Sequence, residues 1–399
     1  MNTCPVASDR LPFLDGLRVA AFLLLIPYHV GMYYVSWDWH VKSPHAGHLI
    51  EPLMLLSGPW RLGLLFLVAG AACQGLMARR GAWGFVRERS RRLLLPLLFG
   101  MAVVVVPQAY YELKTQAPEL LPGNGGYLDF WAAYLRLEQF CKGDDCLDVP
   151  TWNHLWFLPY LWLYALVAVV LAGWRRGVSM PRLNLPAWSW LLLPALPLIV
   201  FRLGLMPFFP STHGLVDDVY NHAQYGYLFA LGWASRTPAV TALWAQALRW
   251  RGWALGLALL AWALLAAYYG QYVDSEPPAA LRNAQRVLWG LMSWWAILAA
   301  CGWAQRVFRQ QSPALRQASA AVFCFYILHQ TLIVVFSQWL APLRLAPAIE
   351  GPLLIVLTFG ACALGYGLLR HLPGLRELFG IAPRKAPGRP EAGRLASLA

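Results

Sequence analysis

The chain has 399 residues, of which 59% are hydrophobic and only 13% are charged, and its mean hydropathy is +0.47. Soluble globular domains carry about a quarter charged residues, so this composition excludes that class. The formal net charge is +13, but the basic residues fall in short connections, and this excludes a soluble basic domain that binds nucleic acid. Length and composition instead predict an all-α polytopic membrane protein.

Ten apolar segments long enough to span a membrane follow one another along the chain. We predict transmembrane helices at residues 13–35, 57–78, 93–111, 153–173, 187–205, 222–236, 251–270, 284–304, 319–340 and 350–371. The connections between them alternate between basic stretches, such as 78–92 and 306–316, and acidic or neutral ones, such as 112–152. Ten crossings with both termini in the cytoplasm satisfy the positive-inside rule at every connection. We therefore expect a multi-pass membrane protein with both termini in the cytoplasm.

The segments form one transmembrane domain, predicted at residues 1–380, and a basic cytoplasmic tail at 381–399. The tail is rich in Pro and Arg, which predicts disorder. The long connection 112–152, predicted to lie outside, contains Cys141 and Cys146. These two could close a small disulfide if the connection faces an oxidising compartment. The seven cysteines of the chain show no metal-ligand spacing, so we expect no metal site.

The first apolar segment contains Arg18 and His29, a charged and a titratable side chain at membrane depth. Such groups are costly in a bilayer, so their presence indicates function. Eleven residues are three helical turns, which places both side chains on one face, roughly 16 Å apart. Asp15 precedes Arg18 by three residues and joins that face. Pro27 removes a backbone hydrogen bond beside His29, and the resulting kink would suit a small internal cavity.

This set of side chains suggests a particular chemistry. An imidazole with a near-neutral pKa can take a proton from a hydroxyl, and a guanidinium on the cytoplasmic side can bind phosphate. Together they favour a phosphate-bearing donor that enters from the cytoplasm, such as acyl-CoA, and a hydroxyl acceptor that arrives from the other side. In the structural alternative, Arg18 reaches the inner interface beside Asp15 while His29 only hydrogen-bonds a neighbouring helix.

Five stretches are similar, in order, to motifs of the membrane-bound acyltransferase 3 family. They read LDGLRVAAFLLLIPYH, WRLGLLFLVAGAACQ, RERSRRLLLPLLFG, HLWFLPYLWLY and FYILHQ. The chain resembles this family over about residues 10–380, and especially its branch of glucan succinyltransferases of the glucan biosynthesis protein C type. One departure is Ala69 before Gly70, where the family more usually has Ser.

The resemblance implies an O-acyltransferase of a bacterial inner (cytoplasmic) membrane. It would move a succinyl or acetyl group from cytoplasmic acyl-CoA to a hydroxyl of an extracytoplasmic glycan. Acyl-CoA would be a substrate, so no cofactor is expected. His29 would match the family's catalytic histidine, and Arg18, beside Asp15, its donor-binding arginine. Arg92 matches a family arginine that would face the CoA phosphates, although an ordinary positive-inside anchor explains it equally well. The expected partners are acyl-CoA, a glycan acceptor and membrane lipids, without nucleic acid.

Two further residues are candidates for the catalytic step. Glu112 follows Tyr110 and Tyr111 at the outer end of the third predicted helix, where it would orient His29 or an acceptor hydroxyl, or be a solvated loop acid. His329 lies about ten residues into the ninth predicted helix, and an intramembrane histidine is functional by default. We expect His329 to line the cavity.

Four residues are candidates for binding the acceptor. His154 and Trp156 lie at the outer end of the fourth predicted helix, where an aromatic ring suits a sugar face but an interfacial belt also explains the tryptophan. Arg61, at the outer end of the second, would hold an acidic acceptor group or cap the interface. Tyr326 flanks His329.

Two alternatives to direct acyl transfer stay open at the level of sequence. One is a relay through an acyl-enzyme. The other is a glycan or lipid transporter or flippase without acyl transfer, which would also have intramembrane Arg and His side chains around a polar cavity. Transporters often show broken helices in paired positions, and the sequence shows no such pair.

Overall fold

The computed structural model describes residues 11–143, 145–147, 149–174, 185–237 and 240–382. Most of the predicted basic tail, residues 383–399, and the basic connection 175–184 lie outside the described residues. The helices within them are α1 (Pro12–Leu23), α2 (Leu25–Tyr34), α3 (Glu51–Ser57), α4 (Arg61–Phe99), α5 (Val106–Gln116), α6 (Tyr127–Leu135), α7 (Phe157–Trp174), α8 (Ala195–Gly204), α9 (Val219–Ala234), α10 (Ala242–Gln271), α11 (Ala279–Val307), α12 (Pro313–Leu340), α13 (Pro347–Leu369) and α14 (Leu375–Leu378).

The prediction of an all-α polytopic membrane protein is confirmed. Among the described residues, eight helical stretches are long and apolar enough to cross a membrane. One of them, Glu51–Gln116, contains the two segments predicted at 57–78 and 93–111. Helix α9 has 16 residues and covers most of the segment predicted at 222–236. The stretch Glu51–Gln116 bends at Gly81, which has a φ of 69°. Glycine adopts this positive φ readily because it has no Cβ.

Several helices are longer than their apolar segments. Helix α10 begins nine residues before its predicted start at 251, and α11 begins five residues before 284. The extra turns carry a few polar side chains, Gln246 and Arg249 in α10 and Arg282 and Asn283 in α11. A helix that leaves a bilayer can continue into water without losing its internal hydrogen bonds. Hydropathy therefore located the membrane spans but underestimated the lengths of the helices.

The helix pair α1–α2 runs parallel to α12, side by side. Arg18 of α1 contacts Ser319 of α12, and eleven residues later His29 contacts His329, ten residues after Ser319. Two helices that meet at nearly equal spacing in the same chain direction are parallel. This pairing places the polar residues of both helices at matching levels.

Close packing of α4 against α9 depends on two glycines. A Cβ at Gly70 would lie 2.0 Å from the carbonyl oxygen of Phe229, and one at Gly232 would lie 1.9 Å from that of Leu67. No side chain fits at those distances, so the two backbones approach only because both positions are glycine. The contact fixes the start of α4, which lies in the wall of the candidate site.

The connection predicted at 112–152 has its own small fold. It contains α6 and a hairpin of two antiparallel strands, β1 (Phe140–Lys142) and β2 (Asp145–Leu147). A disulfide joins Cys141 to Cys146 across the hairpin, as the sequence allowed. Phe130 and Tyr134 of α6 pack with Phe140 in a hydrophobic cluster that also contains Val106 and Ala109 of α5.

Candidate active site

A cavity of about 850 Å³ lies beside the α1–α2 pair. Its wall comes from that pair, the loop after it, the start of α4, the end of α5, the turn before α7, the loop before α9, and α12. Six of the ten predicted site residues line it, namely His29, Arg61, Glu112, His154, Trp156 and Tyr326. The other four are described by the structure but lie outside the lining, namely Asp15, Arg18, Arg92 and His329.

The helix break predicted from Pro27 is present. Helix α1 ends at Leu23 and α2 begins at Leu25, because the ring of Pro27 cannot donate to the carbonyl of Leu23. The break is followed by Tyr28 and His29, whose side chains both line the cavity.

His29 and His329 form a direct hydrogen bond, with 2.9 Å between His29 Nδ1 and His329 Nε2. His329 Nδ1 lies 2.7 Å from the backbone carbonyl oxygen of Tyr326. A carbonyl only accepts, so Nδ1 of His329 carries its proton, and in the neutral ring Nε2 is the acceptor. His29 therefore donates from Nδ1 and keeps the lone pair of its own Nε2. Among the described residues that Nε2 has no partner, so it is available to a substrate.

The prediction that His329 lines the cavity is wrong. His329 is 1% exposed and does not belong to the cavity lining. Its ring centroid lies 5.0 Å from that of His29 and 5.2 Å from that of His154. Its two ring nitrogens are both engaged, one by a backbone carbonyl and one by His29. His329 can therefore orient His29 but does not itself face a substrate.

Arg18 lies near the other end of the helix pair, on the face that contacts α12. Its guanidinium donates to Asp15 Oδ1 at 3.1 Å and to the hydroxyl of Ser319. The Ser319 hydroxyl in turn donates to Asp15 at 3.3 Å. The common face predicted for Asp15, Arg18 and His29 is thus observed, since all three side chains contact residues of α12. One third of the Arg18 side chain is exposed.

Arg92 lies on α4, within electrostatic range of Arg18 and Arg89. It is exposed. Helix α4 therefore brings a second guanidinium to the end of the molecule that carries Arg18, which is the arrangement expected of a site for phosphates.

An aromatic layer separates this arginine end from the cavity. Phe22, one turn after Arg18, lines the cavity. Its ring centroid lies 6.2 Å from that of Phe157 and 5.2 Å from that of Tyr326. All three rings line the cavity, and Arg18 does not. A donor held by Arg18 would have to pass this layer to reach His29.

Arg61 is buried, with 3% of its surface exposed, and it lines the cavity. Its guanidinium carbon lies 3.4 Å from the ring centroid of Tyr28, and Nη1 donates to the Ser57 hydroxyl at 3.5 Å. A residue that caps a membrane interface would reach water, so burial excludes the capping alternative for Arg61.

Glu112 orients a histidine other than the predicted one. Its Oε2 lies 2.5 Å from Nδ1 of His40, and both side chains line the cavity. The predicted contact between Glu112 and His29 is therefore corrected, because the Glu112 carboxylate pairs with His40 instead. Sequence reasoning missed His40, which lies in a polar loop without a recognisable motif. Only the fold brings it next to Glu112, 72 residues later.

His154 has no ring nitrogen left for an acceptor. Its Nε2 donates to the carbonyl oxygen of Ile327 at 3.1 Å, and its Nδ1 accepts from the side-chain amide of Gln108 at 3.2 Å. His154 lines the cavity, but it offers no hydrogen bond from its ring, because a neutral histidine has one donor and one acceptor and both are used.

Gln108 of α5, which sequence reasoning also missed, links three elements of the cavity wall, namely α5, the turn before α7 and α12. Its amide nitrogen donates to His154 and, at 2.6 Å, to Thr331, while its oxygen accepts from Asn153 and Gln330. All four hydrogen-bonding positions of the buried amide are filled. The network fixes α12, which carries His329, relative to α5 and the turn before α7.

Trp156 and Tyr326 line the cavity but make internal contacts. His213 stacks on the Trp156 ring at 4.4 Å, and Tyr225 lies 5.7 Å from it. The Tyr326 hydroxyl donates to the backbone oxygen of His154 at 2.7 Å. Stacking of a sugar on a face of Trp156 is therefore not supported. Half-buried Trp39 and Trp152 line the same cavity and are better placed to meet a sugar.

The loop before α9 is held by Asp218, which is fully buried. This carboxylate accepts from the Tyr160 hydroxyl at 2.6 Å, from Asn221 Nδ2 at 2.8 Å and from the backbone N–H of His213 at 3.1 Å. The loop carries His213 to the cavity wall. Burial lowers the pKa of His213 below its usual value, so this ring is neutral at pH 7.

Comparison with known proteins adds independent information. A family model described as "Acyltransferase domain" (acyltransferase 3) matches residues 11–367. "Glucans biosynthesis protein C" of Salmonella schwarzengrund strain CVM19633 is 24% identical over 409 residues, which cover 97% of this chain and 99% of the relative. The protein of the same name from Salmonella agona strain SL483 is 24% identical over 410 residues with the same coverage. No solved structure matches significantly.

Proposed function

The chain belongs to the acyltransferase 3 family and is a multi-pass membrane acyltransferase, and we propose that it moves an acyl group, succinyl or acetyl, from cytoplasmic acyl-CoA to a hydroxyl of an extracytoplasmic glycan. The observation that carries the proposal is the free Nε2 of His29, held towards a large cavity by His329. The relatives' name supports a glucan as the acceptor. The charge pattern supports both termini inside, and the bacterial source of the relatives supports a cytoplasmic membrane.

In the proposed reaction, His29 acts as the general base. Its Nε2 takes the proton of the acceptor hydroxyl, and the oxygen forms a bond to the carbonyl carbon of the thioester. The carbon–sulfur bond breaks, and the CoA sulfur leaves with the proton from His29. While His29 is protonated, its Nδ1–H still donates to His329, which stabilises the imidazolium.

The donor enters from the end of the molecule that carries Arg18 and Arg92. These guanidiniums suit the phosphates of CoA, because they are permanently charged and offer several donors. Asp15 and Ser319 hold the Arg18 side chain in place. The pantetheine arm then carries the thioester past Phe22 to His29, which requires the aromatic layer to move.

The acceptor enters from the other end of the cavity. Trp39 and Trp152 offer aromatic surface to sugar rings, and the exposed Asp38 and the pair of His40 with Glu112 offer hydrogen bonds to hydroxyls. His40 Nδ1 is held by Glu112, and its Nε2 has no partner among the described residues, so it can contact the glycan. These groups would align one hydroxyl with His29.

The test is release of CoA by purified protein in nanodiscs, from succinyl-CoA and acetyl-CoA, with and without a glucan acceptor. We expect His29→Gln to lower the transfer rate by about 10²- to 10⁴-fold, the usual range for loss of a general base. The control is His371→Ala, because His371 is exposed and lies beyond α13.

Full activity of His29→Gln would mean that the base is another residue, with His40 the next candidate. If no donor is turned over while glycan crosses liposomes that contain the protein, the transporter function replaces this proposal.

A further inference from the structure

Arg61 is a buried cation in the cavity wall, and among the residues that the structure describes it forms no ion pair. Its guanidinium contacts the Tyr28 ring, and Nη1 donates to the Ser57 hydroxyl at 3.5 Å. Its Nε is buried and has no hydrogen-bond partner within the described ranges. Arg61 therefore brings a positive charge without a counterion to the space beside His29.

The cavity itself does not balance this charge. Removing a charge from water is costly unless it is paired, and a cation–π contact offsets only part of that cost. Two carboxylates line the cavity, but Asp38 is exposed and Glu112 pairs with His40. An interaction that forms only in the transition state accelerates the chemical step, whereas one that is equally strong before the reaction does not. An unpaired buried cation is therefore suited to a negative charge that exists only during the reaction.

The proposed acyl transfer creates such a charge. When the acceptor oxygen bonds to the carbonyl carbon of the thioester, the electron pair of the carbon–oxygen double bond moves onto the carbonyl oxygen. This oxyanion lasts until the pair returns, the carbon–sulfur bond breaks, and the sulfur takes the proton that His29 removed from the hydroxyl. Fixed donors that face the oxyanion are usually the largest single contribution to the rate of such reactions.

Tyr28 places Arg61 close to His29. The Tyr28 ring centroid lies 3.4 Å from the guanidinium carbon of Arg61 and 5.7 Å from the ring centroid of His29. The guanidinium and the imidazole are therefore no farther apart than these two distances placed end to end. That span can hold a tetrahedral carbon whose attacking oxygen lies about 3 Å from His29 Nε2 and whose other oxygen lies about 3 Å from Arg61. Within the described part of the chain, Arg61 is the only arginine or lysine that lines the cavity.

We propose that Arg61 is a catalytic residue, which donates hydrogen bonds to the carbonyl oxygen of the thioester and stabilises the oxyanion that forms there. This inference rests on the proposed acyl transfer. It does not depend on which acyl group is moved, because every thioester has this carbonyl. The planar fork of Arg offers the oxygen two donors and a permanent charge.

The test is steady-state CoA release in nanodiscs, from succinyl-CoA and from acetyl-CoA, with a glucan acceptor. We expect Arg61→Gln to lower kcat by about 10²- to 10³-fold with either donor, the range for loss of one oxyanion donor, while KM for each donor changes little. Arg61→Lys keeps the charge but loses the fork, so it should retain part of kcat.

Arg202→Gln is the matched control. The Arg202 guanidinium also contacts an aromatic ring, at 4.1 Å from the Trp289 centroid, and its Nε is also buried without a hydrogen-bond partner. Arg202 lies outside the cavity lining, so its variant should keep the wild-type kcat.

Chemical rescue separates catalysis from folding. Arg61→Ala opens a space beside Tyr28, and added methylguanidinium should raise the kcat of this variant while leaving that of Arg202→Ala unchanged. Losses of kcat that follow the losses of melting temperature across the Arg61 variants, without rescue, would mean that Arg61 only stabilises the fold.

Two kinetic patterns would also overturn the proposal. A higher KM with unchanged kcat, for one donor or for the glucan, would mean that Arg61 binds a substrate group before the reaction. Wild-type kcat and KM in Arg61→Gln would mean that other groups stabilise the oxyanion. In both patterns CoA is still released, so the proposed function stands. Absence of CoA release by wild type itself would overturn the proposed function and this inference with it.

Discussion

At the cavity, the two ring nitrogens of His29 differ in what they contact. Nδ1 is fixed by His329, and Nε2 faces the substrate space. In His154, by contrast, both nitrogens are consumed by the protein. Residue type alone does not separate these roles, because both are histidines at the predicted outer part of the membrane. The hydrogen-bond partners decide which one can accept a proton.

The role of His329 as a positioning residue gives a prediction at this scale. His329→Leu removes the acceptor for His29 Nδ1, so the ring of His29 can turn or adopt the other tautomer. We expect kcat to fall about a hundredfold, with KM for acyl-CoA nearly unchanged. His329→Gln keeps an acceptor oxygen and should recover part of kcat. The measurement is steady-state CoA release across pH 5 to 9.

A purely structural role for His329 would give another result. In that case the Leu and Gln variants would lose activity in proportion to their loss of melting temperature, and the acid limb of the pH profile would not move. Recovery of kcat by Gln without recovery of stability would support positioning.

At the scale of elements, the sequence predicted what is local and missed what the fold brings together. The shared face of Arg18 and His29 follows from helical period, and the break near Leu24 follows from Pro27. The pairing of His40 with Glu112 spans 72 residues and has no local pattern. Likewise, no single segment of the sequence shows the hydrogen-bond partners of His154 on α5 and α12, which use both of its ring nitrogens.

The loop before α9 gives a prediction about such a long-range contact. Asp218→Asn replaces a buried acceptor carboxylate by an amide whose nitrogen would face the donors of Tyr160 and His213. We expect the free energy of unfolding to fall by about 1 to 3 kcal/mol. We also expect the KM for the glycan to rise more than the KM for acyl-CoA, since His213 lines the cavity.

Asp217→Asn is the matched control for this loop. Asp217 is adjacent and exposed, so its variant should melt and turn over like wild type. Equal effects of the two variants on KM for the glycan, or an effect of Asp218→Asn on KM for acyl-CoA alone, would contradict a role of the loop at the acceptor end. The measurements are thermal unfolding and kinetics with each substrate varied.

At the scale of the whole molecule, the two ends of the α1–α2 pair carry different chemistry. Arg18 and Arg92 mark one end, and the cavity with its aromatic and acidic groups marks the other. The aromatic layer of Phe22, Phe157 and Tyr326 lies between them. A protein that only had to bring two soluble substrates together would not need this separation. It suits a reaction whose substrates come from opposite sides of a membrane.

This arrangement predicts sidedness. In sealed vesicles of uniform orientation, glycan should be acylated when acyl-CoA is supplied on the face that carries the basic connections and glycan on the other. Supplying both on either single face should give little product, because the cavity lining does not include Arg18. Detergent, which removes the barrier, should restore activity in every arrangement. Equal transfer with both substrates on one face would mean that the aromatic layer does not divide two entrances, and that donor and acceptor share one route to His29.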